Sequence, residues 1–134
     1  PPRFTLFPYT TLFRSVHLHE VTDDAAGVLQ DADALVLPSF EEGSALVTYE
    51  AQGCGAIPVV SDAAGAQCEH LVTGMVHPAG DVEMLAQHFS RLIAEPQLVA
   101  SLRSGVLQQR DKLTWAAAAA RLEQCYDKAR AALA

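Results

Sequence analysis

The chain has 134 residues, half of them hydrophobic and 19% charged, with 16 acidic against 9 basic side chains for a net charge of −7. That is enough for one small domain with a core, and the acidic balance argues against non-specific nucleic-acid binding. Three cysteines with no Cys-x-x-Cys spacing argue against a disulfide framework or zinc site and for a reducing compartment, and no apolar run approaches the length of a membrane span.

Residues 5–15, Thr-Leu-Phe-Pro-Tyr-Thr-Thr-Leu-Phe-Arg-Ser, match the in-frame translation of a common short-read sequencing adapter. Their Thr, Phe and Pro content differs from the Ala-, Val-, Leu- and Asp-rich remainder. A genuine edge strand is the structural alternative. A secretory signal fits less well, because there is no uninterrupted apolar stretch and no small-residue cleavage site. Residues 1–15 are therefore expected to be a non-native, adapter-derived segment, and residues 16–134 a fragment of a longer protein.

From there the chain reads as alternating strands and helices. Val16-His17-Leu18-His19 is a short strand, and Thr22 or Asp23 caps a helix over 24–30. Ala34-Leu35-Val36-Leu37 is a continuous apolar run, the pattern of a strand buried on both faces, and Pro38 ends it. Residues 44–52 form a helix closed by Gly53 and Gly55. Ala56-Ile57-Pro58-Val59-Val60 is a second buried strand, with Pro58 tolerated near its start. Residues 62–65 turn, 66–71 form a helical turn, and Gly74-Met75-Val76-His77 is a third strand. Asp81 caps a helix to Ala94, Glu95-Pro96 opens another to Arg110, and Thr114 caps the last, 115–132. In that final helix Trp115, Ala119, Leu122, Tyr126, Ala129 and Leu133 lie near one face; the stripe reads first as packed on the core, and second as packed on a further domain, in which case part of it is exposed here. Such alternation predicts an α/β fold with a parallel sheet. Ligands then sit beyond the carboxyl ends of the strands, where 38–43 and 61–65 fall.

The informative stretch lies between the first two buried strands. Pro38-Ser39-Phe40-Glu41-Glu42-Gly43-Ser44-Ala45-Leu46-Val47-Thr48-Tyr49-Glu50-Ala51 carries two carboxylates eight residues apart around a small-residue turn. At the rise of a helix that spacing is about 12 Å. Gly43 lets a phosphate or sugar approach the backbone. Ser44 and Ala45 are small and open a helix, where free N–H groups favour a diphosphate. The plain structural alternatives are a first-turn carboxylate favouring the helix dipole for Glu42 and a solvated helix face for Glu50. Glu41 reads as a solvated neighbour and Tyr49 as packing. The cysteines read as small buried hydrophobes. His17, His19, His70, His77 and His88 are scattered without ligand spacing, so no metal is expected. Arg91, Arg103 and Arg110 read as surface charges.

The wording Pro-Ser-x-x-Glu-Gly followed by Glu50-Ala51 resembles the donor site of retaining glycosyltransferases of the GT-B fold (family 4, group 1). Glu50 through Val60 resembles that family's next helix and strand, and Gly65, then Gly74 to Asp81, its distal loop and capped helix. The resemblance runs over nearly all of 16–126. It implies a partial Rossmann-like parallel sheet, the carboxyl-terminal half of a GT-B domain, followed by carboxyl-terminal helices. It also implies site roles. Glu42 would be catalytic and face the transferred sugar. Glu50 would bind the ribose hydroxyls, since a carboxylate accepts two hydroxyl hydrogens in charge-assisted bonds. The backbone of Gly43, Ser44, Ala45 and Leu46 would line the sugar and phosphates. Where the family often carries an aromatic residue followed by glycine, this chain has Ser44-Ala45.

The implied reaction is transfer of a sugar from a UDP-, GDP- or ADP-sugar to an acceptor hydroxyl with retention, using no cofactor or metal. The family's basic phosphate clamp lies upstream, so the chain alone is expected to be inactive. A cytoplasmic setting, at the inner membrane face through a further domain, follows from the family. Two alternatives stand beside this reading. One is another GT-B enzyme, a phosphorylase or starch-synthase relative. The other is a non-catalytic receiver-like module, for which Asp23-Asp24 is the only adjacent acidic Asp pair.

Overall fold

The structure, a computed structural model, describes residues 21–133. The strand expected at 16–19 and the segment 1–15 lie outside the described residues. Eight regular elements follow in order: α1 (Ala25–Asp31), β1 (Ala34–Leu37), α2 (Leu46–Cys54), β2 (Ile57–Ser61), β3 (Met75–His77), α3 (Val82–Ala94), α4 (Pro96–Gln109) and α5 (Trp115–Ala132). Short 3-10 turns at Asp62–Ala64 and Arg110–Leu113 complete them.

The strands form one parallel sheet in the order β1-β2-β3, with Ala34 opposite Ile57 and Val59 opposite Met75. Every residue of β2 is buried, as expected of the middle strand of a parallel sheet. Pro58 fits there because the Ile57 N–H bonds the Asp33 carbonyl, on the β1 side. By alternation the missing Pro58 N–H faces the β3 side, where pairing begins only at Val59.

The core is split by the sheet. Ile57, Val59, Met75 and Leu102 form one cluster, against which Leu85 and Leu92 of α3 and Leu98 and Val99 of α4 pack. Leu29 of α1, Ala51 of α2 and Ala56 form the other, with Leu35 and Cys54 against them. Helices therefore cover both faces, which holds the strand ends and their loops in place.

The helix ends follow side-chain chemistry. Asp81 accepts from the Met84 N–H and Thr114 from the Ala117 N–H, and Pro96 occupies the first turn of α4. Other expectations need correcting. The cap of α1 is Asp24, which accepts from the Gly27 N–H, and Thr22 supports it by accepting from the Asp24 N–H. Helix α2 begins at Leu46 rather than Ser44, and it ends at Gly55 in the left-handed region, with Gly53 inside it. Strand β1 is only half buried, since among the described residues it pairs with β2 alone. Residues 66–71 form no helix. The segment turns at Leu71, which has φ 61°, and its N–H bonds the Gly74 carbonyl.

The largest departure is α5. None of its residues is buried, and Trp115, Leu122, Tyr126 and Leu133 are all exposed. The stripe does not pack on this core, because α1 to α4 already cover both faces of the sheet. Cys125 on that helix is likewise exposed, whereas Cys54 and Cys68 are half-buried.

Histidines that looked scattered meet at β3. The His70 and His77 rings both lie beside His88, at centroid distances of 5.5 and 5.7 Å. The Val76 N–H donates to His70 Nδ1 (3.0 Å), and the Val76 carbonyl bonds His88 Nε2 (3.2 Å). Two imidazoles thus occupy the polar groups that an edge strand leaves unpaired. Among the described residues no group of three His, Cys, Asp or Glu is arranged to hold a metal.

Candidate functional site

The loops at the carboxyl ends of the three strands are tied together. After β1, the Glu42 N–H donates to the Ala63 carbonyl (3.0 Å), which lies after β2. The Ser61 hydroxyl at the end of β2 donates to the Ser39 carbonyl (2.5 Å). After β3, the Ala79 N–H donates to Asp62 Oδ1 (2.9 Å). These cross-links fix the turn that carries the first carboxylate.

Within that turn the Ser39 hydroxyl donates to Glu42 Oε1 (2.9 Å). Glu42 is exposed, so it is oriented from the protein side while its face stays open. Gly43 sits next to it, and a β-carbon there would meet no protein atom within 4 Å. The protein's own packing therefore gives no reason for glycine at 43, and the space where its β-carbon would stand is free.

Glu50 projects from α2 and is exposed. Only residues 46–54 are helical, so helix rise does not set the Glu42–Glu50 separation. Ser44 is not a cap; its hydroxyl contacts the Tyr49 hydroxyl at 3.3 Å. Ala45 caps α2 without a side-chain bond, its side chain is buried, and its carbonyl accepts from the Thr48 N–H and hydroxyl. The first N–H groups of α2 are left without a side-chain cap, the arrangement that favours an anion.

A cleft of about 540 Å³ opens at this end of α2. Ser44, Leu46, Tyr49 and Glu50 line one side, and Lys112, Trp115 and Arg121 the other. Glu42, Gly43 and Ala45 are not among its lining residues. The basic pair had no signal in sequence, because the turn before α5 brings it to α2 only in the fold.

The family profile described as Glycosyl transferases group 1 matches residues 9–95. This chain belongs to that family. The group 1 glycosyl transferase match includes the whole stretch from Pro38 to Ala51 and both strand-end loops, and it decides against a receiver-like module.

Among relatives of this glycosyl transferase chain, a D-inositol 3-phosphate glycosyltransferase of Thermobispora bispora is 33% identical over 101 residues, 73% of this chain and 23% of that protein. One of Saccharomonospora viridis is 31% identical over 112 residues, 81% of this chain and 26% of the other. The N,N'-diacetylbacillosaminyl-diphospho-undecaprenol alpha-1,3-N-acetylgalactosaminyltransferase of Campylobacter jejuni is 30% identical over 98 residues, 70% and 26% of the two chains. In structure, sucrose-phosphate synthase from Thermosynechococcus elongatus superposes with a TM-score of 0.65 at 30% identity, over 78% of this chain and 27% of that one. The fold is thus the Rossmann-like parallel α/β arrangement of the carboxyl-terminal part of GT-B glycosyltransferases. The chain spans about a quarter of the length of the curated relatives it matches. Among the described residues no helix is long and apolar enough to cross a membrane.

Proposed function

We propose that this chain is the nucleotide-sugar-binding part of a glycosyltransferase that moves a sugar from a UDP-, GDP- or ADP-sugar to an acceptor hydroxyl with retention. The observation that carries this reading is Glu42, oriented by Ser39 at the carboxyl end of β1 on a turn bonded to Ala63, with free space where the Gly43 β-carbon would stand.

In this reading Glu42 faces the transferred sugar. The Gly43 backbone and the uncapped start of α2, through Ser44, Ala45 and Leu46, line the sugar and phosphates, and Glu50 accepts the ribose hydroxyls. Bond exchange replaces the anomeric bond to the diphosphate with one to the acceptor oxygen. The diphosphate leaves with the bonding pair, and its oxygen takes up the proton that the acceptor hydroxyl gives up. The protein's part is to position the donor and to stabilise charge on the leaving group, without a metal or cofactor. The setting is cytoplasmic, with membrane association through a further domain. The 134-residue chain alone does not catalyse transfer.

Calorimetric titration of the chain with UDP, GDP and ADP tests the donor site. At least one is expected to bind, and Glu50→Gln is expected to weaken it by about tenfold, the loss of a charge-assisted bond. Binding of none of the three, or binding indifferent to Glu50→Gln, overturns the reading.

A further inference from the structure

The histidine group at β3 lines no part of the donor site, yet it stands one strand away from it. His77 is the last residue of β3 and lies opposite Ser61 in the register with β2. Ser61 donates to the Ser39 carbonyl, and the Ser39 hydroxyl holds Glu42. Residues 78–81 follow His77 directly. There the Ala79 N–H donates to Asp62 Oδ1, just past the end of β2. Gly80 has φ 83°, and a β-carbon on it would lie 3.1 Å from the Phe40 ring, so the loop after β3 rests against the loop after β1. The carboxyl end of β3 is thus tied to the Glu42 turn by two routes.

The other side of β3 is held by imidazoles. His70 Nδ1 accepts from the Val76 N–H, and a proton on that nitrogen would remove the bond. His88 Nε2 faces the Val76 carbonyl, which can only accept, so the ring carries its proton there. His77 is 2% exposed, and among the described residues its Nδ1 is buried without a hydrogen-bond partner. Titratable neighbours face the group from each element around it. They are Arg91 on α3 with Asp81 at its cap, His77 on β3, and His70 in the turn before β3. Arg91 is itself paired with Glu95 at 2.9 Å. Burial, then the charges of His88 and Arg91, disfavours the His70 cation. Burial does the same for His88; the Val76 carbonyl and Asp81 oppose it, and His77 and Arg91 add to it.

We propose that His70, His77 and His88 form a proton-operated latch on the donor site. With neutral rings, His70 and His88 hold the free edge of β3 through Val76 and keep its end against β2. Proton uptake breaks the His70 bond and places like charges on the His70 and His88 rings, 5.5 Å apart. The end of β3 then draws away from β2, the Ala79–Asp62 and Gly80–Phe40 contacts loosen, and the turn carrying Glu42 loses its support. By linkage, a proton bound more tightly in the released state makes falling pH populate that state, so nucleotide binding weakens as pH falls. This rests on the donor-binding reading above and adds to it a regulation of that site. The coupling is reciprocal: a nucleotide that favours the latched state also holds His70 and His88 neutral.

The test follows the 134-residue chain by amide and histidine-ring spectra from about pH 7.5 to about pH 5.5 without ligand, with circular dichroism on the same samples. The Glu42, Ala79 and Gly80 amides are expected to move with the His70 and His88 ring signals while the helix signal stays constant. In His70→Gln with His88→Gln the side-chain amides can still bond Val76 but take up no proton, and the same backbone amides are expected to stay fixed. His70→Gln alone, at an exposed position, is expected to reduce their movement and serves if the double variant does not fold. Calorimetry then titrates each protein with UDP, GDP and ADP over the same range. The affinity of the unaltered chain is expected to fall by about tenfold. The variant is expected to show only the effect of the nucleotide's own phosphate, which also takes up a proton in this range.

Backbone amides that ignore the ring titration, that move equally in the variant, or that move only with global unfolding overturn the latch, whether or not a nucleotide binds. Nucleotide binding that Glu50→Gln weakens, with the same pH dependence in the unaltered chain and the variant, overturns the latch and leaves the donor-binding reading standing. Binding of none of the three at any pH overturns the donor-binding reading, and with it the latch as a control on a nucleotide site.

Discussion

Gly65 is pressed against Gly43: a β-carbon on Gly65 would lie 2.7 Å from the Gly43 carbonyl oxygen. Gly65 also has φ 61°, the left-handed region that a side chain disfavours by about 1–2 kcal/mol. The turn after β2 can therefore support the Glu42 loop only with glycine at 65. Gly65→Ala is expected to lower stability by about 1–3 kcal/mol in urea unfolding and to weaken nucleotide binding as the Glu42 turn shifts. Gly43→Ala meets no protein atom within 4 Å and is expected to leave stability within about 0.5 kcal/mol while weakening donor binding. Equal destabilisation by the two changes would contradict this division of roles.

Gly105 gives a test of the distal packing. It lies inside α4, where Gly→Ala in an open helix gains about 1 kcal/mol. Here, however, a β-carbon would overlap the Val72 carbonyl. Backbone overlap outweighs propensity, so Gly105→Ala is expected to cost about 1–3 kcal/mol. A stabilising effect would mean that the 71–74 turn does not rest on α4.

The histidine group at β3 sets a pH dependence. Burial, then the charges of His88 and Arg91, hold the His70 imidazole below its usual pKa. Burial likewise lowers His88, only partly opposed by its bond to the Val76 carbonyl. A depressed histidine pKa favours the neutral form in the folded state. Its contribution is therefore complete above the unfolded value and lost as pH falls through the folded one. Protonating His70 also removes the acceptor for the Val76 N–H. The urea midpoint is expected to drop between about pH 7 and pH 5, and His70→Gln with His88→Gln should flatten that drop. Arg91 lowers the Glu95 carboxyl, so its loss falls at lower pH, in the carboxylate range. An unchanged pH slope in the double variant would contradict the assignment.

The three thiols should separate by reactivity. Burial pushes the Cys68 thiol up to about 11, while Cys125 lies exposed on α5. Alkylation at neutral pH is expected to label Cys125 first and Cys68 at least about tenfold more slowly, because only the thiolate reacts. Mass mapping of the labelled peptides reads the order, and Cys68 labelling first would contradict its burial.

Local chemistry made much of this fold legible. The apolar run 56–60 became a fully buried middle strand, and Asp81, Pro96 and Thr114 mark helix starts that side-chain caps and fixed φ determine. What escaped depends on distant contacts. The 66–74 segment is shaped by Gly74 wedged between the Pro58 carbonyl and Cys68, which outweighs local helix preference. The histidine group joins the 70–74 turn, β3 and α3, so no spacing rule reveals it. Of the residues the motif singled out, Ser44, Leu46 and Glu50 line the cleft at α2, whereas Glu42, Gly43 and Ala45 do not. Lys112 and Arg121 were not visible, since only the path of the chain after α4 brings them to α2. The apolar spacing in α5 was real, but spacing alone does not say which surface covers it.

The most direct test of the donor site is a two-dimensional amide spectrum of the chain titrated with UDP, GDP and ADP. The expected result is a shift of the Glu42, Gly43, Leu46 and Glu50 amides with at least one nucleotide, saturable and reduced by Glu50→Gln. A spectrum in which those amides stay fixed for all three, or move only with Mg²⁺ and an acyl phosphate, would contradict a nucleotide-sugar site at the start of α2.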